Sequence, residues 1–406
     1  MTASSIPSEA IGCPGCGAVQ GLPLLPAGAS ACCAICATPL ERTGALDAAL
    51  AVSAATLLLL IGANLAPLFR VELLGAARES HMFSGVVAFW REGWPLPALC
   101  VFGFAVLAPL VRFALLTVTL VLVQTKARPP WLGRIFRYAD RLTIWAMPDV
   151  LFLGLWVAYG RLHALFSLQV ESGAYLLAAS AAGTLLTRAL LDRRAVWRAI
   201  SPDAAAPNGA PTLSCRACDL LVSPDHANGP CPRCGAKLEA RAAGGMAFTL
   251  ALVGAGAILY LPANLLPMAA TIQFGKVIPY TVLEGVRDLA QANLWGLAIL
   301  VFTASFAIPL LKLSGLAWLV QSVERSSRRR LPAKNRVFRF IREIGRWSMV
   351  DIFAMACFLP LMQFGRLAGA RAMAGASAFL MVVLLTMLAS EAFDPRRMWD
   401  SLGGRR

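Results

Sequence analysis

The sequence predicts an all-α polytopic membrane protein: eight transmembrane helices in two parallel four-helix repeats, with a small cysteine-rich domain before each repeat. Three observations lead there. Hydrophobic residues make up 58% of the 406 and charged residues only 15%, where a water-soluble domain carries about 25% charge. The mean hydropathy is correspondingly high, at +0.66. Apolar stretches recur at lengths that cross about 30 Å of hydrocarbon, and motifs recur at a nearly constant offset. An ordinary soluble enzyme is excluded.

The eight stretches cover about 46–66, 96–123, 143–160, 173–191, 246–266, 294–320, 347–364 and 373–390. Net charge is +15, which on one soluble face would suggest nucleic acid. The bases fall instead in loops between apolar runs, so they report topology and no nucleic-acid partner is expected. Loops rich in Lys and Arg (Lys126 to Arg141, Arg188 to Arg198, Arg325 to Arg346, and the tail with Arg396, Arg397, Arg405 and Arg406) alternate with poorer ones carrying Arg70, Arg78 and Arg91, then Arg161, then Lys276 and Arg287, then Arg366 and Arg371. Both termini and the middle segment are therefore expected on the cytoplasmic side. The first residues also lack the basic-then-apolar pattern of a signal peptide.

Asn64-Leu65-Ala66-Pro67 at the end of the first stretch recurs as Asn264-Leu265-Leu266-Pro267, an offset of 200. Ala108-Pro109-Leu110 with Arg112 recurs as Ile308-Pro309-Leu310 with Lys312, and Trp145-Ala146-Met147-Pro148-Asp149 matches Trp347-Ser348-Met349-Val350-Asp351 at an offset of 202. An even number of spans per repeat makes the repeats parallel, not inverted. The expected organisation is a first cytoplasmic domain at 1–43, a first repeat at 44–195, a linker and second domain at 196–242, a second repeat at 243–392 and a basic tail at 393–406.

Eight of the 11 cysteines form two clusters at the starts of the repeats. The first is Cys13 and Cys16, then Cys33 and Cys36 after 16 intervening residues; the second is Cys215 and Cys218, then Cys231 and Cys234 after 12. Two such pairs on short turns place four thiolates around one Zn2+, and the metal supplies folding energy that so short a segment cannot obtain by burial. Gly17 and Gly235 follow the second Cys of a pair and suit the tight turn. Disulfides, a redox dithiol pair and an iron–sulfur centre are the rival uses, and disulfides rarely persist in the cytoplasm. Four-Cys closure leaves no open coordination position, so two structural zinc ions are expected. Cys32, beside Cys33, is an alternative ligand, while Cys100 and Cys357 lie in spans and read as packing residues.

Charge within a membrane helix costs at least about 2.5–3.5 kcal/mol on insertion scales, so Arg112, Asp149, Lys312 and Asp351 need a reason to be there. Matching depths along their spans predict two pairs, Arg112 with Asp149 and Lys312 with Asp351. The first reads equally as a lock between helices, since Arg keeps its proton. The second has a Lys that desolvation can neutralise and a span that also carries Thr303, Ser305 and Ser314, so it is the candidate for switching or proton coupling. The second repeat is therefore expected to be the working half.

In the outward segments, about 67–94 and 267–293, Thr271 to Tyr280 reads as a hairpin around Gly275. Ser84 to Trp90 and Glu284 to Asn293 read as short amphipathic helices at the membrane surface. Trp90, Trp94, Trp295 and Tyr280 suit interfacial anchoring. His81, His163 and His226 share no metal-ligand spacing. No Walker loop, nucleophile elbow or zincin helix is present, so no enzymatic activity is expected.

Duplicated four-Cys segments each leading to four spans, Asn-x-x-Pro closing the first span, Pro-Leu-x-Lys/Arg in the second and Trp-x-Met-x-Asp opening the third together resemble the paraquat-inducible protein A (PqiA-like) family over nearly the whole chain. The resemblance implies an inner-membrane protein with zinc-ribbon-like cytoplasmic domains, working with a periplasmic MCE-domain tunnel protein to move phospholipid between membranes. Two other functions fit the same residues: a membrane anchor or assembly module for the tunnel protein that handles no lipid, and a thiol-based stress sensor. Arg112 in place of a second Lys makes the two halves chemically unequal.

Overall fold

A computed structural model describes residues 9–22, 25–26, 28–73, 76–163, 168–201, 213–239, 241, 245–273, 276–325, 330–363 and 368–400. The linker at 202–212, Gly275, Arg328, Arg329, Arg366 and the tail end at 401–406 lie outside them.

Each repeat runs through the same series of elements. A first helix (Leu46–Leu65; Gly245–Leu265) leads to a hairpin (Phe69–Leu73 with Ala76–Ser80; Ala269–Gln273 with Lys276–Tyr280) and a short amphipathic helix (Ser84–Arg91; Val282–Gln291). A 30-residue helix follows (Pro95–Gln124; Trp295–Glu324), then a pair of helices, a single strand (Leu168–Val170; Ala368–Ala372) and a last helix (Ser172–Leu190; Ala374–Ala392). The hairpin expected at Thr271 to Tyr280 and both amphipathic helices are present. The all-α expectation needs correction: in each repeat the single strand pairs antiparallel with the hairpin's first strand, giving a three-stranded sheet. Ala368-Gly-Ala-Arg-Ala372 has no β-propensity of its own, and is held as a strand by its neighbour in a register pairing Thr271 with Ala370.

The repeated motifs now have causes. Pro109 and Pro309 remove a backbone donor, and in each repeat the turns just before them, Phe102–Leu107 and Thr303–Ala307, widen to a π-helix. Asn64 and Asn264 each donate their side-chain amide to the carbonyl four residues back, Leu60 at 2.7 Å and Tyr260 at 2.8 Å. Gly173 and Gly375 then donate to the carbonyls of Pro67 and Pro267, so the last helix starts against the end of the first. A Cβ on Gly173 would lie 2.6 Å from the Pro67 oxygen and 2.7 Å from that of Ala66. Gly173→Val is expected to cost about 1–3 kcal/mol, read as a lower thermal midpoint in detergent; an unchanged midpoint would show that this crossing can relax.

Among the described residues six helices are long and apolar enough to cross a membrane, or seven if Ser172–Leu190 and Arg193–Ile200, bent by 66°, form one span. The stretch expected at 143–160 is the 16-residue helix Pro148–His163, roughly 24 Å long, starting where Pro148 restarts a helix broken after Arg141. Its counterpart has Val350 at that position and is nearly continuous, from Leu331 to Leu361, making it the most buried of the six. These two helices pack at the centre, with Gly154 against Phe353 and Ala354.

The cysteine-rich segments are exchanged between the repeats. The first segment shares its core with Leu316, Leu319, Phe338, Ile341 and Trp399 of the second repeat and tail. The Asn335 amide donates to Thr38 Oγ1 at 2.9 Å and Arg339 to the Ala37 carbonyl at 3.0 Å. The second segment shares its core with Leu116, Leu120, Phe136 and Trp197 of the first repeat. There Arg193 pairs with Asp219 at 2.9 Å, and a Cβ on Gly133 would lie 2.0 Å from the Arg233 oxygen.

Candidate metal centres and buried polar residues

Each Cys pair sits in the turn of a small hairpin. Strands Glu9–Gly12 and Val19–Leu22 flank the first pair, Ser30–Cys32 and Pro39–Arg42 the second, and Leu213–Ser214 with Leu221–Val222 the third. A Pro230–Lys237 bridge closes the fourth. The residue after the second Cys of every pair has a left-handed backbone: Gly17, Ala37, Asp219 and Gly235, with φ between 54° and 76°. The sequence showed the turn only where that residue was Gly.

The chain brings each predicted set of four cysteines together. Cys13, Cys16, Cys33 and Cys36 are buried with their sulfurs within 4.8 Å of one another, and so are Cys215, Cys218, Cys231 and Cys234. Sulfur separations of 3.4 Å (Cys13 to Cys36), 3.6 Å (Cys16 to Cys33), 3.7 Å (Cys215 to Cys234) and 3.6 Å (Cys218 to Cys231) are close to the ~3.8 Å edge of a tetrahedron with 2.3 Å metal–sulfur bonds. All eight are free thiols, and Cys32 is exposed and outside the cluster. Backbone N–H groups of Gly15 and Ile35 donate to Cys13 and Cys33 sulfur, each at 3.4 Å. Hydrogen bonds from Cys13, Cys16 and Thr38 hold the Cys36 thiol far below its ordinary pKa, and those from Cys215, Cys218 and Cys234 do so for Cys231. Both donor sets fit a thiophilic tetrahedral ion.

The intramembrane residues are arranged differently from the expected pairs. Lys312 is fully buried, and its Nζ donates to the Gly345 carbonyl at 3.2 Å. Asp351 makes no ion pair among those of the described residues; its Oδ2 is buried without a hydrogen-bond partner. It lines a cavity of about 20 Å³ with Arg161, Tyr280, Thr281 and Met355, between the repeats. That volume suits about one water and is far too small for an acyl chain. Arg112 donates Nε to Thr143 Oγ1 at 3.2 Å, while Asp149 pairs across the repeats with Arg346 at 2.9 Å. The expected pairing within each repeat is thus corrected: the central helices pack against each other, which presents Asp149 to the other repeat, and a backbone carbonyl takes the Lys312 ammonium.

Of the three hydroxyls singled out, Ser305 is buried, while Thr303 and Ser314 are exposed on the helix surface. Ser314 bonds back to the Leu310 carbonyl at 2.8 Å. Two polar groups of this region went unnoticed in the sequence. Ser348 is fully buried, its hydroxyl unpaired like that of Ser305, and it stands where the first repeat has Ala146, a difference visible in the aligned motifs. Arg346 aligns with Ile144, so the repeat gave no pointer to it.

The sequence model for the family described as paraquat-inducible protein A matches residues 46–201 and 246–403. Among curated proteins the chain is 29% identical over 404 residues to "Intermembrane transport protein PqiA" of Escherichia coli (strain K12), covering 96% of this chain and 95% of that one. It is 28% identical over 400 residues to "Lipophilic envelope-spanning tunnel protein A" of the same strain, covering 96% and 91%. It is 26% identical over 348 residues to "Probable intermembrane transport protein" of Haemophilus influenzae, covering 82% and 81%. No solved structure matches the chain. The two matched segments coincide with the two structural repeats, and this membrane protein belongs to the paraquat-inducible protein A family.

Proposed function

We propose that this chain is the inner-membrane subunit of an intermembrane lipid-transport system, which binds phospholipid and exchanges it with a periplasmic MCE-domain tunnel protein. The full-length likeness to proteins named for intermembrane transport supports the class of function. The observation that carries the lipid-handling part is the second repeat's buried polar group: Lys312, Ser305, Ser348 and Asp351, three of them with unpaired side-chain atoms. Such groups are costly in a membrane and mark pathways and coupling sites. Asp351 faces the water-sized cavity, which also touches the base of the outward hairpin through Met268 and Tyr280; as it stands it suits a water or a proton, and lipid would enter only where the surrounding helices part.

In this reading all eight apolar stretches cross the membrane, with both termini and the cysteine-rich segments in the cytoplasm. The segments are zinc-ribbon-like, each holding a structural zinc ion through Cys13, Cys16, Cys33 and Cys36, or Cys215, Cys218, Cys231 and Cys234. Zinc would supply rigidity to the interface each segment makes with the opposite repeat.

The test is complementation in a strain whose outer-membrane lipid homeostasis depends on this protein, with a photo-crosslinker at Phe358 beside the cavity. Lys312→Ala and Asp351→Asn are expected to abolish complementation at normal protein levels, and the crosslinker to capture phospholipid. Full complementation by both variants, or capture of the tunnel protein and never of lipid, would leave only an anchoring role.

A further inference from the structure

Three guanidinium groups, two from the first repeat and one from the second, come together with little negative charge among the described residues to balance them. Arg112 is only 2% exposed and is tied to Thr143 Oγ1. Arg188 donates Nη2 to the carbonyl of the same residue at 2.9 Å. Arg346 is 9% exposed and bonded to Asp149. Arg188 and Arg346 are both electrostatic neighbours of Arg112, and Arg346 of Arg188. Of the other carboxylates in range, Asp140 is engaged by Arg193 at 3.0 Å, and Glu343 is exposed. Among the described residues, Asp149 is therefore the one carboxylate bonded to any of these three cations.

The hydrogen-bond pattern is also incomplete. Arg112 Nη1, Arg188 Nε and Arg346 Nε are buried without a partner. A guanidinium does not lower its cost by releasing a proton, and unpaired buried charge is expensive, so the cluster calls for an anion. The donors come from three separate helices. A carboxylate is planar and engages one guanidinium fork at a time, whereas a tetrahedral phosphate offers oxygens in several directions.

Depth favours the same ligand. The Pro95–Gln124 helix has 30 residues, roughly 45 Å, so about 15 Å of it extends past a 30 Å hydrocarbon layer. Arg112 lies 17 residues, roughly 26 Å, from Pro95, on the way to Leu116 and Leu120, where the second cysteine-rich segment packs. With the outer edge of the hydrocarbon placed at Pro95, that is about 4 Å short of the opposite edge, within a guanidinium's reach of headgroups on the side of the cysteine clusters.

We infer that Arg112, Arg188 and Arg346 form a binding site for a phosphate group, either the phosphodiester of a phospholipid headgroup or a free phosphate ion. The site lies between the repeats, with Arg346 next to Gly345, whose carbonyl takes Lys312, and it does not depend on the transport reading; complementation by Asp351 variants tests that reading separately. The experiment is thermal unfolding of the full chain, delipidated in a phosphate-free detergent. It is titrated with dihexanoyl phosphatidylglycerol, with dihexanoyl glycerol lacking the phosphate, and with inorganic phosphate.

A saturable rise in midpoint with the phospholipid but neither other compound assigns a headgroup site, and a rise with inorganic phosphate assigns a free-anion site. Arg112→Gln or the partly buried Arg188→Gln is expected to raise the half-saturating concentration at least about tenfold. An equal rise with the phosphate-free glyceride, no saturable rise with either phosphate compound, or full retention in an Arg112→Gln/Arg188→Gln double variant overturns the site. The comparison of ligands on the unaltered chain decides even where a variant does not fold.

Discussion

Replacing Cys231 by Ser is expected to remove one of the two zinc ions proposed above and to loosen the first repeat rather than the second. Cys231 is one corner of a buried four-sulfur cluster, and a structural zinc site contributes apparent free energy on the order of 10 kcal/mol in small domains. Among its described residues the second segment has two two-residue strands, one bridge, the short turn Pro224–His226 and a few buried apolar side chains to hold it otherwise, too little for a core of its own without metal. What it covers is then exposed: Phe136 and Trp197, ring centroids 4.7 Å apart, and the backbone around Gly133.

Hydrogen exchange should accordingly rise in Leu132–Arg141 and Arg193–Ile200. Cys13→Ser should do the converse, loosening Leu331–Ile344 and Arg397–Asp400, because the first segment rests on Phe338, Ile341, Met398 and Trp399. Metal analysis should read one zinc per chain for either variant and none for both. Loss of protection confined to the repeat that follows the altered segment in sequence would refute the crossed docking.

The crossed arrangement shows where the sequence stopped being informative. Cys spacing and apolar length are local signals, and they located both clusters and most of the membrane helices, because a thiolate turn and a span are each specified within about 25 residues. The exchange of segments is specified by pairs such as Asn335 with Thr38, 297 positions apart, which no local pattern encodes. The sheets were half legible for the same reason. Thr271 to Tyr280 carries β-branched residues, whereas Ala368–Ala372 is a strand only through its partner.

Among the charged residues, the sequence identified Arg112, Lys312 and Asp351 as buried but missed Arg346, and it did not show whom any of them meets. Depth along a helix constrains pairing in one dimension only, while the rotation of each helix about its axis chooses the partner. Asp149 turned toward Arg346 of the other repeat, and Lys312 toward the Gly345 carbonyl. Thr303 and Ser314 fell on the exposed face of their helix while Ser305 fell inside, as positions two and nine residues apart do on a helix of 3.6 residues per turn when the buried stripe is narrow.

The Arg346–Asp149 pair gives the second large effect. It joins the two repeats at 2.9 Å with both side chains about nine-tenths buried, and Asp149 Oδ1 has no other partner. Arg346→Met removes the bonded cation and leaves the buried carboxylate with only the unbonded charges of Arg112 and Arg188 near it, a loss that costs up to about 3–5 kcal/mol when one member of a buried pair is removed. Asp149→Leu alone is also expected to destabilise, because it leaves Arg346 beside Arg112 and Arg188 with no carboxylate bonded to any of the three.

The double variant Arg346→Met/Asp149→Leu relieves both problems: it removes one cation and one anion and fills the gap with apolar volume, so it should recover most of the loss. A double-mutant cycle on denaturation in detergent measures this, and a coupling of about 2 kcal/mol or more is the expected result. Additive effects of the two single changes would mean that the pair does not hold the repeats together, and that Pro148–His163 against Val350–Leu361 is secured by apolar packing around Gly154.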